Sequence, residues 1–292
     1  MSSSPSTTPY GPTLNLVNFN IVTALLGGFV LLFGLISYLA KEKLFLSESL
    51  VALIFGVIVS THATNFVTPL DYTGTQLRLD HATLYFTRLV LGVQLVLAGV
   101  QLPSRYLKKE WRSLLLLLGP GMVTMWLVGS FICWILVPDL PFLHALAIAA
   151  CFTPTDPVLS ASIVKGRFAD AHIPPHLQKL IVAESGANDG LGYPFLFFAL
   201  YLIKFLEPGQ GGAGEAIGVW VVEGLLYVVV LSVAYGAVVG WIAKDLLHWA
   251  EEKKFVDRES FLVFAIALAL FIIGTCGMIG SDDVLACFIV SP

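Results

Sequence analysis

The stretch FTPTDP at residues 152–157 interrupts an apolar run, residues 142–165, that is otherwise long enough to cross a membrane. A transmembrane helix needs about 20 mostly apolar residues. Because a proline lacks a backbone N–H, this helix is predicted to break around Thr155 and Asp156. Broken backbone at membrane depth is tolerated where it lines a cavity or is buried in protein. The residues expected to break the helix are Pro154 and Pro157.

The next apolar run carries a second polar stretch, ESGANDG at residues 184–190. Residues four apart share one face of a helix, so Glu184 and Asn188 face the same way, and Ser185 and Asp189 lie on the adjacent stripe. Small residues let a neighbouring backbone approach closely. The residues expected to do so here are Gly186, Gly190 and Gly192.

Both polar stretches are predicted to lie at the same depth. Asp156 precedes Lys165 by nine residues, and Asp189 follows Lys179 by ten. If both lysines mark the inner surface, the helical rise places the two carboxylates roughly 14–15 Å from it, near the middle of ~30 Å of hydrocarbon. A carboxylate at that depth indicates function, because its burial is costly. The alternative is a structural hydrogen-bonding role within the helical bundle.

The side chains of the two stretches are rich in hard oxygen atoms. Carboxylate, hydroxyl and amide oxygens suit a hard cation such as sodium, whereas transition metals prefer softer ligands. The sequence contains no nucleophile–base arrangement and no zinc-binding motif, so we expect neither an enzyme nor a cofactor. The oxygen ligands expected for the cation are those of Thr153, Thr155, Ser185, Asn188 and Asp189.

The composition of the whole chain excludes a soluble protein. Of its 292 residues, 57% are hydrophobic and 12% are charged, whereas soluble domains carry about 25% charged residues. The net charge of −4 and the pI near 5.8 argue against a nucleic-acid partner. The composition therefore predicts a polytopic membrane protein that is surrounded by lipid.

Eight apolar runs are long enough to be membrane spans. A ninth begins at Val284, and the sequence ends within it, which would leave half a helix with unsatisfied backbone groups in the bilayer. We therefore expect an all-α, polytopic membrane fold that is truncated at the start of span nine. The eight runs are 18–40, 44–61, 81–102, 113–137, 142–165, 177–205, 216–244 and 259–279.

The basic residues predict an orientation for these spans. With the N-terminus outside, all 16 Lys and Arg residues except Arg78, Arg88 and Lys204 fall on one side. The positive-inside rule makes that side cytoplasmic. Residues 1–17 are rich in Ser, Thr and Pro and are expected to form a disordered extracellular tail.

The two polar stretches together resemble the core of the monovalent cation/proton antiporters. The resemblance rests on TDP at residues 155–157 and on ES and ND at residues 184–185 and 188–189. The longer segment 152–201, together with SDD at residues 281–283, is similar to the fungal plasma-membrane sodium/proton antiporters. The resemblance extends over nearly all of the chain and implies an antiporter fold of about thirteen spans in two inverted repeats.

This resemblance implies a role for each residue of the two stretches. Asp189 would carry both the cation and the proton, with Asn188 beside it. Thr155 and Asp156 would line the unwound segment where broken helices cross. Ser185 would help to bind the cation, and Glu184 would organise the core.

The resemblance also implies a division of the chain. Residues 18–102 would be scaffold and dimerisation spans one to three, and residues 113–205 would be core spans four to six with the ion site. Residues 216–292 would be a linker with scaffold spans seven to nine, the ninth incomplete. The full-length form would be a homodimer.

The sequence thus predicts a secondary active antiporter that exchanges monovalent cations, namely sodium, potassium or lithium, for protons across the plasma membrane. Burial favours the protonated form of a carboxylate and a nearby cation favours its ionised form. One aspartate can therefore bind either a proton or a cation, and this competition produces exchange. The alternatives are a cation channel subunit that uses the same carboxylates as a filter and an inactive truncated membrane fragment.

Charged residues near the outer surface give two further predictions. The resemblance favours Asp282 and Asp283 as an outer gate that attracts cations, and the alternative is an ordinary solvated turn. Arg88 and Glu223 each lie seven residues into a span from its outer end. We expect these two side chains either to extend separately to the membrane surface or to pair with each other.

Overall fold

The computed structural model describes residues 18–44, 48–103, 106–164, 166–207, 209, 211–255 and 258–290. Within these residues it contains helices, turns and loops but no strand, so the predicted all-α fold is confirmed. The tail at residues 1–17, and Lys165 as a marker of the inner surface, lie outside the described residues.

The helices are labelled in chain order. Two of them contain a segment of π-helix: α6 at Leu117–Gly121 and α11 at Trp220–Val230. The helices are α1 Asn18–Leu44, α2 Glu48–Val59, α3 Pro69–Thr73, α4 Gln76–Val100, α5 Tyr106–Lys109, α6 Trp111–Leu136, α7 Phe142–Phe152, α8 Pro157–Val164, α9 Arg167–His172, α10 Pro175–Phe205, α11 Gly212–Glu252, α12 Arg258–Ile279 and α13 Asp283–Ile289.

Three of these helices are long and apolar enough to cross a membrane by themselves, namely α4, α6 and α11. Shorter apolar helical segments lie at Asn20–Leu35, Ser49–Val59, Phe142–Phe152 and Val263–Ile279. Helix α10 has 31 residues, or about 45 Å of helical rise, and its middle carries the polar stretch 184–190. These lengths agree with a polytopic helical membrane protein.

The chain divides into two compact units, with the boundary along the sequence between Thr83 and Leu84, within α4. In the first unit, α1 and α2 contact each other through stacked aromatic rings. Phe29 stacks on Phe55 with ring centroids 4.4 Å apart and on Phe33 at 5.3 Å. All of the residues predicted to bind ions belong to the second unit.

Helix α13 lies at the centre of the second unit, where it packs against α10, α11 and α12. Its residues Leu285, Ala286, Cys287 and Phe288 are at most 3% exposed. This short helix belongs to the ninth apolar run of the sequence. It is therefore a core element of the unit and not a surface extension.

Two pairs of glycines, each spaced four residues apart, make room for α13. On α10, Gly186 faces the Phe288 ring, and a Cβ added to Gly190 would lie 2.8 Å from the Leu285 Cα. On α11, a Cβ added to Gly236 would lie 2.7 Å from the carbonyl oxygen of Ala286. A Cβ added to Gly240 would likewise meet the backbone of Val290. Small residues in this spacing are typical of close helix packing in membranes.

We expect Gly190→Ala to destabilise the second unit by roughly 1–3 kcal/mol, the usual cost of overpacking a core. The added methyl group would meet Leu285 backbone, which cannot rotate away. The control is Gly274→Ala on α12, where nothing lies within 4 Å of the added methyl group. SDS-induced unfolding in mixed micelles measures both variants. Equal stabilities of the two variants would contradict the close approach of α13 to α10.

Candidate ion site

The predicted break in the fifth span is present. Helix α7 ends at Phe152, and helix α8 begins at Pro157. The Thr153 hydroxyl donates to the carbonyl of Ala149 at 2.7 Å, and the Ser160 amide donates to the carbonyl of Asp156 at 2.9 Å. These bonds each satisfy a backbone group at one of the two helix ends that flank the break.

Thr155 connects the break to α10 through main-chain and side-chain atoms. Its amide donates to Asn188 Oδ1 at 3.1 Å, and its hydroxyl accepts from Asn188 Nδ2 at 2.8 Å. Its carbonyl accepts from the Ser185 hydroxyl at 2.5 Å. These bonds place the two polar stretches side by side at Thr155, Ser185 and Asn188.

Ser185 and Asn188 are almost fully buried, at 0% and 2% exposure. Asn188 also donates to Glu184 Oε1 at 2.8 Å, which confirms that these two residues share a face of α10. Ser185 accepts from the Ser160 hydroxyl at 3.0 Å. The network therefore fixes the orientations of Thr155, Ser185 and Asn188.

Unlike Ser185 and Asn188, Asp189 has a side-chain oxygen that lacks a hydrogen-bond partner among the described residues. This atom, Oδ2, is buried. A buried carboxylate oxygen without a partner is costly, and it is an available ligand for a cation or a proton.

The two prolines lie at the break, and the two remaining carboxylates of the site differ in exposure. Pro157 is the first residue of α8, and Pro154 lies against Gly192 of α10, where an added Cβ would come within 2.8 Å of the proline ring. Glu184 is half-buried, whereas Asp156 is exposed at the end of the break. The described residues contain no group of three or more His, Cys, Asp or Glu that could hold a metal ion.

The acidic pair at residues 282–283 lies at the start of α13. Asp282 caps this helix by accepting from the Leu285 amide at 2.9 Å. Asp283 is 6% exposed and forms an ion pair with Arg88, with Arg88 Nη2 2.6 Å from Asp283 Oδ2. A solvated turn is therefore the wrong description of Asp283. Its role as an outer gate stays a prediction.

The predicted pairing of Arg88 with Glu223 is wrong, because Arg88 pairs with Asp283 on α13. The alternative, that the two side chains extend separately to the membrane surface, stays a prediction. Glu223 accepts a hydrogen bond from the Tyr201 hydroxyl at 2.8 Å. The position of a residue along a helix predicts its depth in the membrane but not the direction in which its side chain points. Position alone therefore does not identify the partner of either side chain.

Sequence reasoning missed three contributors to this arrangement: Ser160, the Arg88–Asp283 pair, and the glycines of α11. The spacing of Gly236 and Gly240 matches that of Gly186 and Gly190 and could have indicated a second packing surface. Nothing in the sequence pairs Arg88 with an acidic residue 195 positions away.

Comparison with known proteins places these features in a family. Residues 27–291 match the family model of the transmembrane sodium/hydrogen exchangers. A probable Na⁺/H⁺ antiporter of Schizosaccharomyces pombe is 42% identical over 270 residues, which are 92% of this chain and 34% of that protein.

Two further relatives are similar at the same level. Na⁺/H⁺ antiporter 2 of Zygosaccharomyces rouxii is 39% identical over 275 residues, covering 94% of this chain and 33% of that protein. The Na⁺/H⁺ antiporter of Saccharomyces cerevisiae is 40% identical over 269 residues, covering 92% and 26%. The chain thus spans about a quarter to a third of the length of these relatives.

The family match covers most of the chain, including the broken helix, the polar middle of α10 and the buried α13. The apolar helices agree with it. This membrane protein therefore belongs to the transmembrane sodium/hydrogen exchanger family.

Proposed function

We propose that this chain provides the ion-carrying site of an antiporter that exchanges monovalent cations for protons. The observation that carries the proposal is the buried Asp189 Oδ2, which has no hydrogen-bond partner among the described residues, beside a broken helix that is held by Thr155, Ser185 and Asn188. The names of the relatives support sodium as the cation.

Competition at one carboxylate explains the exchange. Ionised Asp189 attracts a cation, and protonated Asp189 is neutral and does not. Because burial favours the neutral form and a bound cation favours the charged form, the site holds one or the other. A site that is presented to the two sides of the membrane in turn would then move cations one way and protons the other.

The surrounding groups have separate tasks in this mechanism. The Asn188 side chain holds the Thr155 amide and hydroxyl in place. The carbonyl groups at the C-terminal end of α7 carry a partial negative charge, as at the end of any helix, and Thr155 of the break is bonded to α10. No covalent step is required, and we propose that the protein is a carrier and not an enzyme.

We further propose that the protein works in the plasma membrane as a homodimer surrounded by lipid, with no cofactor beyond the transported ions. The resemblance to the fungal plasma-membrane antiporters supports this. A fluorescent fusion tests the location, and cross-linking in intact membranes tests the dimer. Fluorescence confined to internal membranes, or the absence of a cross-linked dimer, would contradict these points.

A chimera tests the transport proposal, because the chain covers only part of its relatives. In the chimera, this chain replaces the aligned 269 residues of the Saccharomyces cerevisiae antiporter. Vesicles that contain it are loaded with sodium and diluted into sodium-free buffer. We expect the lumen to acidify as sodium leaves and protons enter, whereas empty vesicles stay unchanged.

The same vesicles separate exchange from a channel. In a channel, sodium efflux would charge the membrane and draw protons in through leaks. Clamping the membrane potential with potassium and valinomycin would then abolish the acidification. An exchanger couples the two ions directly, so we expect acidification to persist under the clamp. Its loss under the clamp would favour the channel, and its absence in both conditions would favour an inactive chain.

A further inference from the structure

The turn that precedes α13 joins the start of this helix to two neighbouring helices. The Ser281 hydroxyl donates to the carbonyls of Tyr227 and Val228 on α11, at 3.1 and 3.0 Å. Two residues further on, Asp283 pairs with Arg88 of α4. The first turn of α13 is therefore held from both sides, by α11 and by α4.

The contact with α4 is a buried ion pair with two donors on one oxygen. Arg88 Nε and Nη2 donate to Asp283 Oδ2 at 3.2 and 2.6 Å. Gly277 of α12 leaves room for the guanidinium, since a Cβ added there would lie 2.9 Å from Arg88 Nη2. A buried ion pair adds little net stability compared with apolar residues of similar size, and its best-known use is to fix one arrangement of helices. This pair is therefore suited to positioning.

The face of α4 that carries Arg88 continues along α13. Gly92 follows Arg88 by four residues and so lies on the same face. A Cβ added to Gly92 would lie 3.3 Å from Cys287 Sγ. Leu95, one turn further, is 0% exposed and belongs to the same core cluster as Phe288. Helix α13 therefore lies against α4, and the ion pair sets where along α4 it begins.

Another face of α13 lies against the middle of α10. Leu285 contacts Gly190, the residue directly after Asp189. Asn188 precedes Gly190 by two residues, which places it on nearly the opposite side of the helix, where it is bonded to Thr155 of the break. The middle of α10 therefore lies between α13 and the break, so that a shift of α13 would change the geometry at Asp189.

We propose that Arg88 and Asp283 are positioning residues for the ion site. Through α13 they hold the middle of α10 against the broken helix, and Asp189 thereby keeps the geometry in which it binds a cation. This inference rests on the proposed exchange function and adds to it two residues that lie outside the site. It differs from an outer gate, in which Asp283 would attract external cations by its charge.

The sign of one effect separates the two roles. Arg88→Gln removes a positive charge beside Asp283, so a gate that attracts cations should reach half-maximal exchange at a lower sodium concentration. If the pair positions the site, that concentration should rise about twofold to thirtyfold, as for residues that modulate a site at a distance. The measurement is the proton flux of the chimera under a clamped potential, with sodium supplied at the outer face and rates taken per folded molecule.

A second variant decides the test where Arg88→Gln does not fold. Arg88→Lys keeps the charge but replaces the two donors by one ammonium group, which is not equivalent at such a contact. It should raise the same sodium concentration by less than Arg88→Gln, whereas a gate predicts no change. The matched control is Arg78→Gln, which removes a positive charge from an exposed position of the same helix and should have no effect.

The charge-free pair gives the corresponding rescue. Asp283→Asn alone should raise the half-maximal sodium concentration. Arg88→Gln with Asp283→Asn leaves no unpaired charge and should lie closer to the parent than the two single effects together imply. A fall in the concentration for Arg88→Gln, or no rise in the Arg88 variants that fold, would overturn the proposal. So would equal effects of Arg88→Gln and Arg78→Gln.

Hydrogen exchange tests the position of α10 without any transport. Breaking the pair should speed the exchange of the backbone amides of residues 184–190, because local opening becomes easier. The amides of α6, whose Trp126 belongs to a separate core cluster, should stay unchanged. Equal acceleration in both segments, or none at residues 184–190, would overturn the proposal. If the parent chimera exchanges no ions, the proposed function fails and hydrogen exchange alone decides the positioning role.

Discussion

Asp189→Asn is expected to abolish sodium-driven acidification by the chimera under a clamped membrane potential. Asparagine has nearly the same shape as aspartate, but its amide neither ionises nor carries the exchanged proton. The buried Oδ2 that is available to a cation would become part of a neutral group. Proton flux in the vesicle assay, compared with that of empty vesicles, measures the effect.

The matched control for this variant is Asp139→Asn. Asp139 lies in the turn between α6 and α7 with a left-handed backbone at φ 58°, a conformation that asparagine tolerates well. This variant removes one carboxylate and should leave exchange unchanged. Near-normal exchange by Asp189→Asn would remove Asp189 from the mechanism. An equal loss of exchange in both variants would indicate that removing a carboxylate damages the protein in general, and would not support Asp189 as the ion carrier.

The location of the candidate ion site could be predicted from the sequence because it depends on local rules. A proline removes a backbone donor from a helix and can end it, and α7 does end before Pro154. The four-residue spacing of Glu184 and Asn188 fixes a shared face, and a hydrogen bond joins them. The two stretches meet where Thr155 donates to Asn188, and their depth in the membrane stays a prediction.

The surroundings of α13 could not be predicted in the same way. They depend on contacts between residues far apart in the chain, such as Gly236 with Ala286. A short apolar run at the end of a sequence has no periodic pattern long enough to show what it contacts. Asp282 and Asp283 form an adjacent acidic pair in the sequence, yet one caps a helix and the other pairs with Arg88.

Arg88→Met is expected to destabilise the second unit more than Asp283→Leu. Asp283 has a side chain that is 9% exposed, whereas that of Arg88 is 35% exposed. Removing one partner of a buried ion pair costs about 3–5 kcal/mol, because the other charge stays buried without compensation. Arg88→Met leaves the more buried charge, and because the Arg88 side chain is 35% exposed its cost should lie near or below the lower end of this range. Asp283→Leu leaves an arginine that can reach polar surroundings, and its cost should be lower.

The double variant separates pairing from the loss of each side chain. Arg88→Met with Asp283→Leu leaves no unpaired charge, so it should be clearly more stable than the sum of the single variants implies. A coupling of at least about 1 kcal/mol is the expected range for groups in direct contact. The exposed Lys244–Asp245 pair gives a control cycle, in which the coupling should stay below about 1 kcal/mol.

Gly277 provides an independent check of the same geometry. A Cβ at this position would lie 2.9 Å from Arg88 Nη2, so Gly277→Ala should push the guanidinium away from Asp283 and reproduce part of the loss. Gly274→Ala, one turn earlier on α12, meets nothing within 4 Å and should have no such effect. SDS-induced unfolding in mixed micelles measures all of these variants. Additive losses for Arg88 and Asp283 would show that the pair does not hold α13 against α4.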